Sequence, residues 1–232
     1  MKKTASTYFE QWDPKKFNEN VQYQITIRSF LEGKVTGDVL DLGCGSRVFY
    51  DLVGAKSWTG IDISSSMLSG ISFFNKIGDM RIIQGDMLKM QLADESADTV
   101  IAMFVLHHLA KKNIKESKKR VQLAFAEAIR VLRPGGRFIV CENCRGPLEN
   151  PYHWMFPLSF RVLKKALDVD LPYFWQRKHY LKFAQDSGFK MPFTYVQVPM
   201  TDWVYNPVLK CKVPPLLTHD LIQRMTIFEF KK

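Results

Sequence analysis

Two short stretches carry residue types suited to holding a nucleotide-like ligand. Val39-Leu40-Asp41-Leu42-Gly43-Cys44-Gly45 is an apolar run that leads into a glycine-rich turn, and Gly60-Ile61-Asp62-Ile63 closes a second apolar run on a carboxylate 21 positions after Asp41. Glycines let a backbone approach a ligand closely, and a carboxylate at a strand end accepts hydrogen bonds from both hydroxyls of a ribose. A third acidic turn, Gln84-Gly85-Asp86-Met87, follows another short apolar run. His107 and His108 come just after the run that ends at Met103-Phe104, and Glu142 closes a further apolar run. A histidine near its ordinary pKa can take a proton from a hydroxyl or an amine. A carboxylate such as Glu142 can orient it.

These groups act together only if a scaffold brings them to one edge. The pattern predicts strands over 38–42, 57–63, 80–84, 97–104 and 137–142, and the fourth reads as a strand buried on both faces. A helix over 64–71 has Ser64 as N-cap. The clearest helix is 117–132, where Val121, Ala124, Phe125, Ala128, Ile129 and Leu132 recur at i, i+3, i+4, i+7 spacing. Arg133-Pro134-Gly135-Gly136 is expected to stop it and turn the chain into the fifth strand. Helix is expected over 6–32, divided at Pro14, and again over 175–187 before Gly188; strands at 193–198 and 225–230 flank a proline-containing insertion. Strands alternating with helices imply a doubly wound α/β fold with a mostly parallel sheet of seven strands.

With 232 residues, one domain with insertions is expected. It divides into a helical lid over 1–36, a core over 37–143, a cap over 144–175, and a final helix and two strands over 176–232. No run of about 18 uncharged apolar residues suggests a membrane span. The first residues lack the apolar centre of a signal peptide, and four cysteines do not make a disulfide framework in a chain this long, so a cytoplasmic protein is expected. The net charge of +10 suits an anionic substrate, nucleic acid or a membrane surface. Lys111, Lys112, Lys115, Lys118, Lys119 and Arg120 read more simply as the solvated face of a helix. Cys141 and Cys144 have C-x-x-C spacing but no second ligand pair, so no metal site is expected.

In order and spacing, the stretches at 39–45, 60–64 and 84–87, the segment Asp98–Leu109 with its Val-Leu-His-His-Leu, and Arg-Val-Leu-Arg-Pro-Gly-Gly at 130–136 resemble the Rossmann-like, or class I, S-adenosylmethionine-dependent methyltransferases of the small-molecule type. The resemblance covers roughly residues 38–143. It implies that Asp41 and the backbone of Gly43, Cys44 and Gly45 hold the methionine end of S-adenosylmethionine. Asp62 would take the ribose diol, with Ile63 packing on the adenine and Met67 close by. Gly85, Asp86 and Met87 would meet the adenine edge, and Met103 and Phe104 the amino end. Tyr8 would close the pocket from the lid. Catalytic roles are expected for His107, His108 and Glu142.

The family usually continues Gly-x-Gly-x-Gly, whereas Ser46 and Arg47 follow Gly45 here. That replacement keeps open a non-catalytic, cofactor-binding regulator. The leading expectation is methyl transfer to oxygen or nitrogen of a small organic acceptor. RNA or lipid acceptors stay open on the charge. The segment 152–175, with Tyr152, Trp154, Phe156, Phe160, Tyr173, Phe174 and Trp175 among Arg161, Lys164 and Lys165, reads as an apolar acceptor cap, a membrane-touching helix or a stacking surface for single-stranded nucleic acid. Asn150-Pro151-Tyr152 imitates a base-methylating motif but stands in the wrong place, since Met103-Phe104-Val105-Leu106 follows the fourth strand.

Overall fold

The computed structural model describes residues 21–48, 52–73, 77–111, 113–145, 158, 162, 172–198, 204–206, 211–213 and 223–232. The expectations for Tyr8, Pro14 and most of the lid and cap lie outside these residues. Seven strands form one sheet: β1 (Gly37–Leu42), β2 (Ala55–Asp62), β3 (Asp79–Gln84), β4 (Ala97–Met103), β5 (Leu132–Arg145), β6 (Lys190–Val198) and β7 (Gln223–Lys231). Their spatial order is β3-β2-β1-β4-β5-β7-β6. All neighbouring pairs are parallel except those made by β7, which runs antiparallel to β5 and β6. The order reverses between β1 and β4, which puts a topological switch point at their carboxyl ends.

Among the described residues, four helices cover the sheet: α1 (Val21–Leu31), α2 (Ser65–Ser69), α3 (Ile114–Val131) and α4 (Arg177–Asp186). α3 starts three residues before the expected position because Asn113 caps it, its side chain accepting the Glu116 N–H at 3.1 Å. The expected apolar stripe holds, with Val121, Ala124, Phe125 and Ala128 fully buried. Phe125 meets Phe138 of β5 edge-on at 5.1 Å and Phe230 of β7 at 5.6 Å. Truncating such an aromatic to alanine costs about 3–5 kcal/mol. Ile27 and Leu31 of α1 pack on the other face with Trp58, Ile101, Ile139 and Ile227. Lys115, Lys118 and Lys119 are exposed on α3, as a solvated face requires.

Other boundaries differ from expectation as well. Arg133-Pro134-Gly135-Gly136 is not a turn between helix and strand but an irregular stretch within β5. Leu132 already pairs with Ala97, and the register then slips so that Thr99 meets Arg137. Gly135 absorbs the distortion at φ +80°, and the Gly136 carbonyl accepts the Lys232 N–H. At its other end β5 continues past Glu142 to Arg145, because Gln223 of β7 pairs with Arg145. The boundary expected between 143 and 144 therefore falls inside a strand. Trp175 lies in the crossing segment ahead of α4, and its carbonyl accepts the Arg145 N–H. Two short strand pairs had no sequence signal: Arg47–Val48 with Ser72–Phe73, and Val204–Asn206 with Cys211–Val213. No helix among the described residues is long and apolar enough to cross a membrane.

Candidate active site at the carboxyl ends of β1, β2, β4 and β5

The turn after β1 is tied to β2 by its backbone. The N–H groups of Gly43 and Cys44 both donate to the Ile61 carbonyl, at 2.7 and 3.1 Å. Gly43 (φ +64°) and Gly45 (φ +62°) occupy the left-handed region, where a side chain would be strained. A Cβ on Gly43 would also lie 2.2 Å from Val105 Cγ2 and 3.1 Å from Met87 Cε. This one glycine is thus where the loops after β1, β3 and β4 meet.

Asp62 ends β2 half-buried. Its Oδ2 accepts the Gly45 N–H and its Oδ1 the Ser64 N–H, both at 2.9 Å. Burial raises its carboxyl above the ordinary aspartate range, and the N–H groups of Ser64, Gly45 and Ile63 offset part of that cost. Ser64 Oγ accepts the Met67 N–H and caps α2, as expected. Met67 is buried, with its Cε 3.5 Å from where a Gly45 Cβ would stand. Ile63 leaves 39% of its surface exposed, an apolar face beside the carboxylate.

Asp41 is buried on β1, level with Gly60 and Ile101. Cys44 is buried as well; burial, then the charges of Asp41 and Asp62, push its thiol pKa far up, so it stays protonated. The Gly85 N–H donates to the Asp62 carbonyl at 2.9 Å, which draws the third acidic turn to the first two. Asp86 is exposed, and its Oδ1 accepts the Leu88 N–H at 2.9 Å, which shapes the turn. Asp41 and Asp62 thus stand near the ends of adjacent strands, and Asp86 on the turn that is tied to Asp62. Their fit to an adenosyl ligand rests on Asp62, held by N–H donors beside an uncovered isoleucine, and on a glycine turn open at Gly45.

The second half of the site follows β4. Met103 pairs with Cys141 of β5, and Phe104 takes a left-handed conformation (φ +53°) while its N–H donates to the Cys141 carbonyl at 2.8 Å. This bend sends Val105 onto Gly43 and starts a 3-10 turn over Leu106–Leu109. Glu142, fully buried, grips that turn with both oxygens. Oε1 accepts the Leu106 N–H at 2.6 Å and Oε2 lies 2.7 Å from His107 Nδ1. An ionised carboxylate only accepts, so Nδ1 carries the proton and Nε2 keeps a lone pair in the neutral ring. The expected pairing of Glu142 with a histidine is thus present, and the partner is His107.

His108 lies against His107, the ring centroids 4.0 Å apart and the planes tilted by 46°. Burial, then the neighbouring His107, hold its pKa well below the ordinary histidine value. Sequence reasoning missed what covers His107. Phe174 lies over its ring at 4.8 Å, tilted by 31°, and the Tyr173 N–H donates to its carbonyl at 2.9 Å. Tyr173 is in turn held by Arg145, whose Nη2 donates to its hydroxyl at 2.9 Å. The only signal was the aromatic density around 173–175. Among the described residues no group of three His, Cys, Asp or Glu side chains could hold a metal ion. Tyr8 lies outside the described residues.

Residues 40–140 match the family model described as a methyltransferase domain. A tRNA (carboxymethyluridine(34)-5-O)-methyltransferase of Arabidopsis thaliana is 29% identical over 137 residues, 59% of this chain but 28% of that protein. A demethylmenaquinone methyltransferase of Roseiflexus sp. (strain RS-1) is 32% identical over 146 residues, 58% of this chain and 56% of that protein. The chain thus spans between about a quarter and just over half the length of these curated relatives. Among solved structures, the complex of the Haloferax volcanii Trm112 methyltransferase activator with a putative methyltransferase aligns over 95% of this chain and 96% of the other, with TM-score 0.66 and 19% identity. The N-methyltransferase NodS of Bradyrhizobium japonicum WM9, solved with S-adenosyl-L-homocysteine, aligns over 98% and 96%, with TM-score 0.62 and 13% identity. At such identities the structures establish a shared fold.

Proposed function

We propose, for a chain that carries a Rossmann-like methyltransferase domain of the S-adenosylmethionine-dependent class, that it moves a methyl group directly from S-adenosylmethionine to an oxygen or nitrogen of a small organic acceptor. The observation that carries this reading is the joining of two half-sites through one contact. Val105 packs on Gly43 of the cofactor turn, and two residues later His107 is locked to Glu142.

S-adenosylmethionine, when bound, supplies a methyl group that is already electrophilic. The protein's work is binding, alignment and proton removal. Asp62 takes the ribose diol, Ile63 packs on the adenine, and Asp86 and Met87 border it. Asp41 and the turn Gly43–Gly45 hold the methionine end, with the backbone at Met103 and Phe104 on its other side. Alignment of this kind is worth on the order of 7–11 kcal/mol of barrier. Glu142 fixes the His107 tautomer so that Nε2 accepts the acceptor's proton, and the resulting imidazolium is stabilised by the carboxylate already in contact with Nδ1. His108, held neutral, borders the same turn. Arg47 stands where the family pattern has glycine, and its role belongs with the methionine end.

A second reading, methyl transfer to RNA, is favoured by the net charge of +10 and by the tRNA-modifying relative. The two separate in one experiment, in which methyl-labelled S-adenosylmethionine is incubated with the protein and either a panel of small hydroxyl, carboxyl and amine acceptors or total RNA. Label in a small product supports the first reading. Label found only in RNA, lost as salt is raised, replaces it with the second. Tight binding of S-adenosylhomocysteine with no transfer to either class rejects both and leaves a cofactor-binding regulator.

A further inference from the structure

We infer that Tyr180 of α4 is a positioning residue for the His107–Glu142 pair, acting through a buried water held between its hydroxyl and the Glu142 carboxylate. The inference rests on the proposed role of His107 as proton acceptor.

The sheet register places the groups. Glu142 on β5 lies directly opposite Thr226 on β7, and Val140 lies opposite Phe228. Residues opposite each other in an antiparallel pair share a face, and alternation along each strand keeps every second residue there. Glu142, Thr226, Val140 and Phe228 therefore share the face beneath α3 and α4. Tyr180 descends onto that face and packs against Phe228 at 5.3 Å. Its ring stands one same-face step from the Glu142–Thr226 pair. Glu142, Thr226 and Tyr180 are all fully buried, in a layer that includes Val140, Cys144, Phe138, Phe183, Phe228 and Phe230.

Within this polar island the hydrogen bonding is complementary but incomplete. Tyr180 Oη is buried, and no protein group among the described residues lies within hydrogen-bond reach of it. A buried phenol needs an acceptor for its proton. Glu142 has about four lone-pair positions and spends two, on Leu106 N–H and on His107 Nδ1. One side chain has a donor to place and its neighbour has acceptors to spare. A buried water needs two to four polar partners; Tyr180 Oη and the Glu142 carboxylate offer two, beside the Thr226 side chain, which is itself hydrogen-bonded to Cys144. Burial, then the charge of Glu142, also raise the Tyr180 pKa well above the ordinary phenol value, which keeps the hydroxyl a donor.

The donor chain Tyr180–water–Glu142 spreads the carboxylate's charge and so limits how strongly Glu142 holds a proton on His107. Among the described residues, the other titratable or charged groups around the pair are His108 on the same turn, Cys141, Cys144 and Arg145 on β5, Tyr173 in the crossing segment and Arg177 on α4. α3 buries Ser117, Val121, Ala124, Phe125, Ala128 and Val131, together with the Nε of Arg120.

Tyr180→Phe removes the hydroxyl and keeps the ring. In the cofactor-free protein, followed by the nitrogen-15 shifts of His107, the titration midpoint is expected to rise by about half a pH unit, a threefold gain in proton affinity. The acid limb of the kcat–pH profile should move the same way, while the dissociation constant for S-adenosylhomocysteine stays within twofold. Thr226→Val, which removes the hydroxyl beside that water, should shift the midpoint in the same direction by less, and reads the same quantity if Tyr180→Phe does not fold. A His107 midpoint unmoved in both variants overturns the inference, as does a high-resolution structure in which Tyr180 Oη donates directly to a protein group. A shifted midpoint in a protein that transfers no methyl group upholds it and rejects the proposed function instead.

Discussion

Asp38 and Asp62 are carboxylates at opposite edges of the same sheet, and the chain treats them in opposite ways. Asp38, at the amino end of β1, accepts a hydrogen bond from Ser57 Oγ at 2.7 Å and pairs with Arg133, which also bridges to Asp98 at 2.8 Å. The Ser57 hydrogen bond, with help from Arg133, lowers its pKa below the ordinary aspartate value. Asp62, at the carboxyl end of β2, is held by backbone N–H groups, and burial raises its pKa. One edge is electrostatically closed by its own side chains. The other keeps a burial penalty that hydroxyl donors from a ligand would relieve. On this contrast we read Asp38 as a carboxylate that serves folding and propose that Asp62 serves binding.

The comparison breaks most visibly at the binding edge. His107→Ala should lower kcat by about 10²–10⁴-fold, the usual worth of a positioned general base, with cofactor affinity within twofold. Steady-state kinetics beside calorimetry checks this, and an unchanged kcat would reduce the Glu142–His107 pair to a clamp on the turn.

Gly43→Ala should come next. It forces a side chain into the left-handed region, about 1–3 kcal/mol, and drives it into Val105, which must then leave its place. Urea unfolding should show that loss, and cofactor binding should weaken with it. A variant as stable as the parent would mean that the three loops are not joined there.

The closed edge should yield the smallest effect. Arg133→Ala removes exposed ion pairs worth about 0–1 kcal/mol. Its pH dependence has a definite sign. Because the folded-state pKa of Asp38 lies below the unfolded one, its stabilisation is complete above the unfolded value near about 3.9 and disappears as pH falls through the folded value. The stability gap between parent and Arg133→Ala, measured in urea, should therefore shrink between pH 7 and pH 3. A gap that widens would contradict the assignment.

The sequence made the cofactor half of this edge legible because its residues are local: glycines, a carboxylate and a capping serine within a few positions of each strand end. Asp41 at the end of β1, Gly43 and Gly45 in the turn after it, Asp62 at the end of β2 and Met67 in α2 stand on adjoining segments. The acceptor half depends on register. Glu142 meets Leu106 and His107 only because β5 pairs with β4 at a particular offset, and Tyr173 and Phe174 reach His107 from more than 60 positions away. Arg133-Pro134-Gly135-Gly136 misled for a related reason. Its composition marks a turn, but pairing of Leu132 with Ala97 begins the strand before it, and the glycines serve as a distortion inside the ladder. Local signals located the turns, and long-range pairing decided what each turn faces.

The central claim is that Asp62 belongs to a ligand and Asp38 to the fold. Calorimetric titration of S-adenosylhomocysteine into Asp62→Ala and Asp38→Ala tests it directly. We expect Asp62→Ala to bind at least about tenfold more weakly than the parent, a loss of about 1.4 kcal/mol, and Asp38→Ala to bind within twofold of it. Equal affinities in the two variants, or a parent protein that does not bind the ligand, would contradict the account.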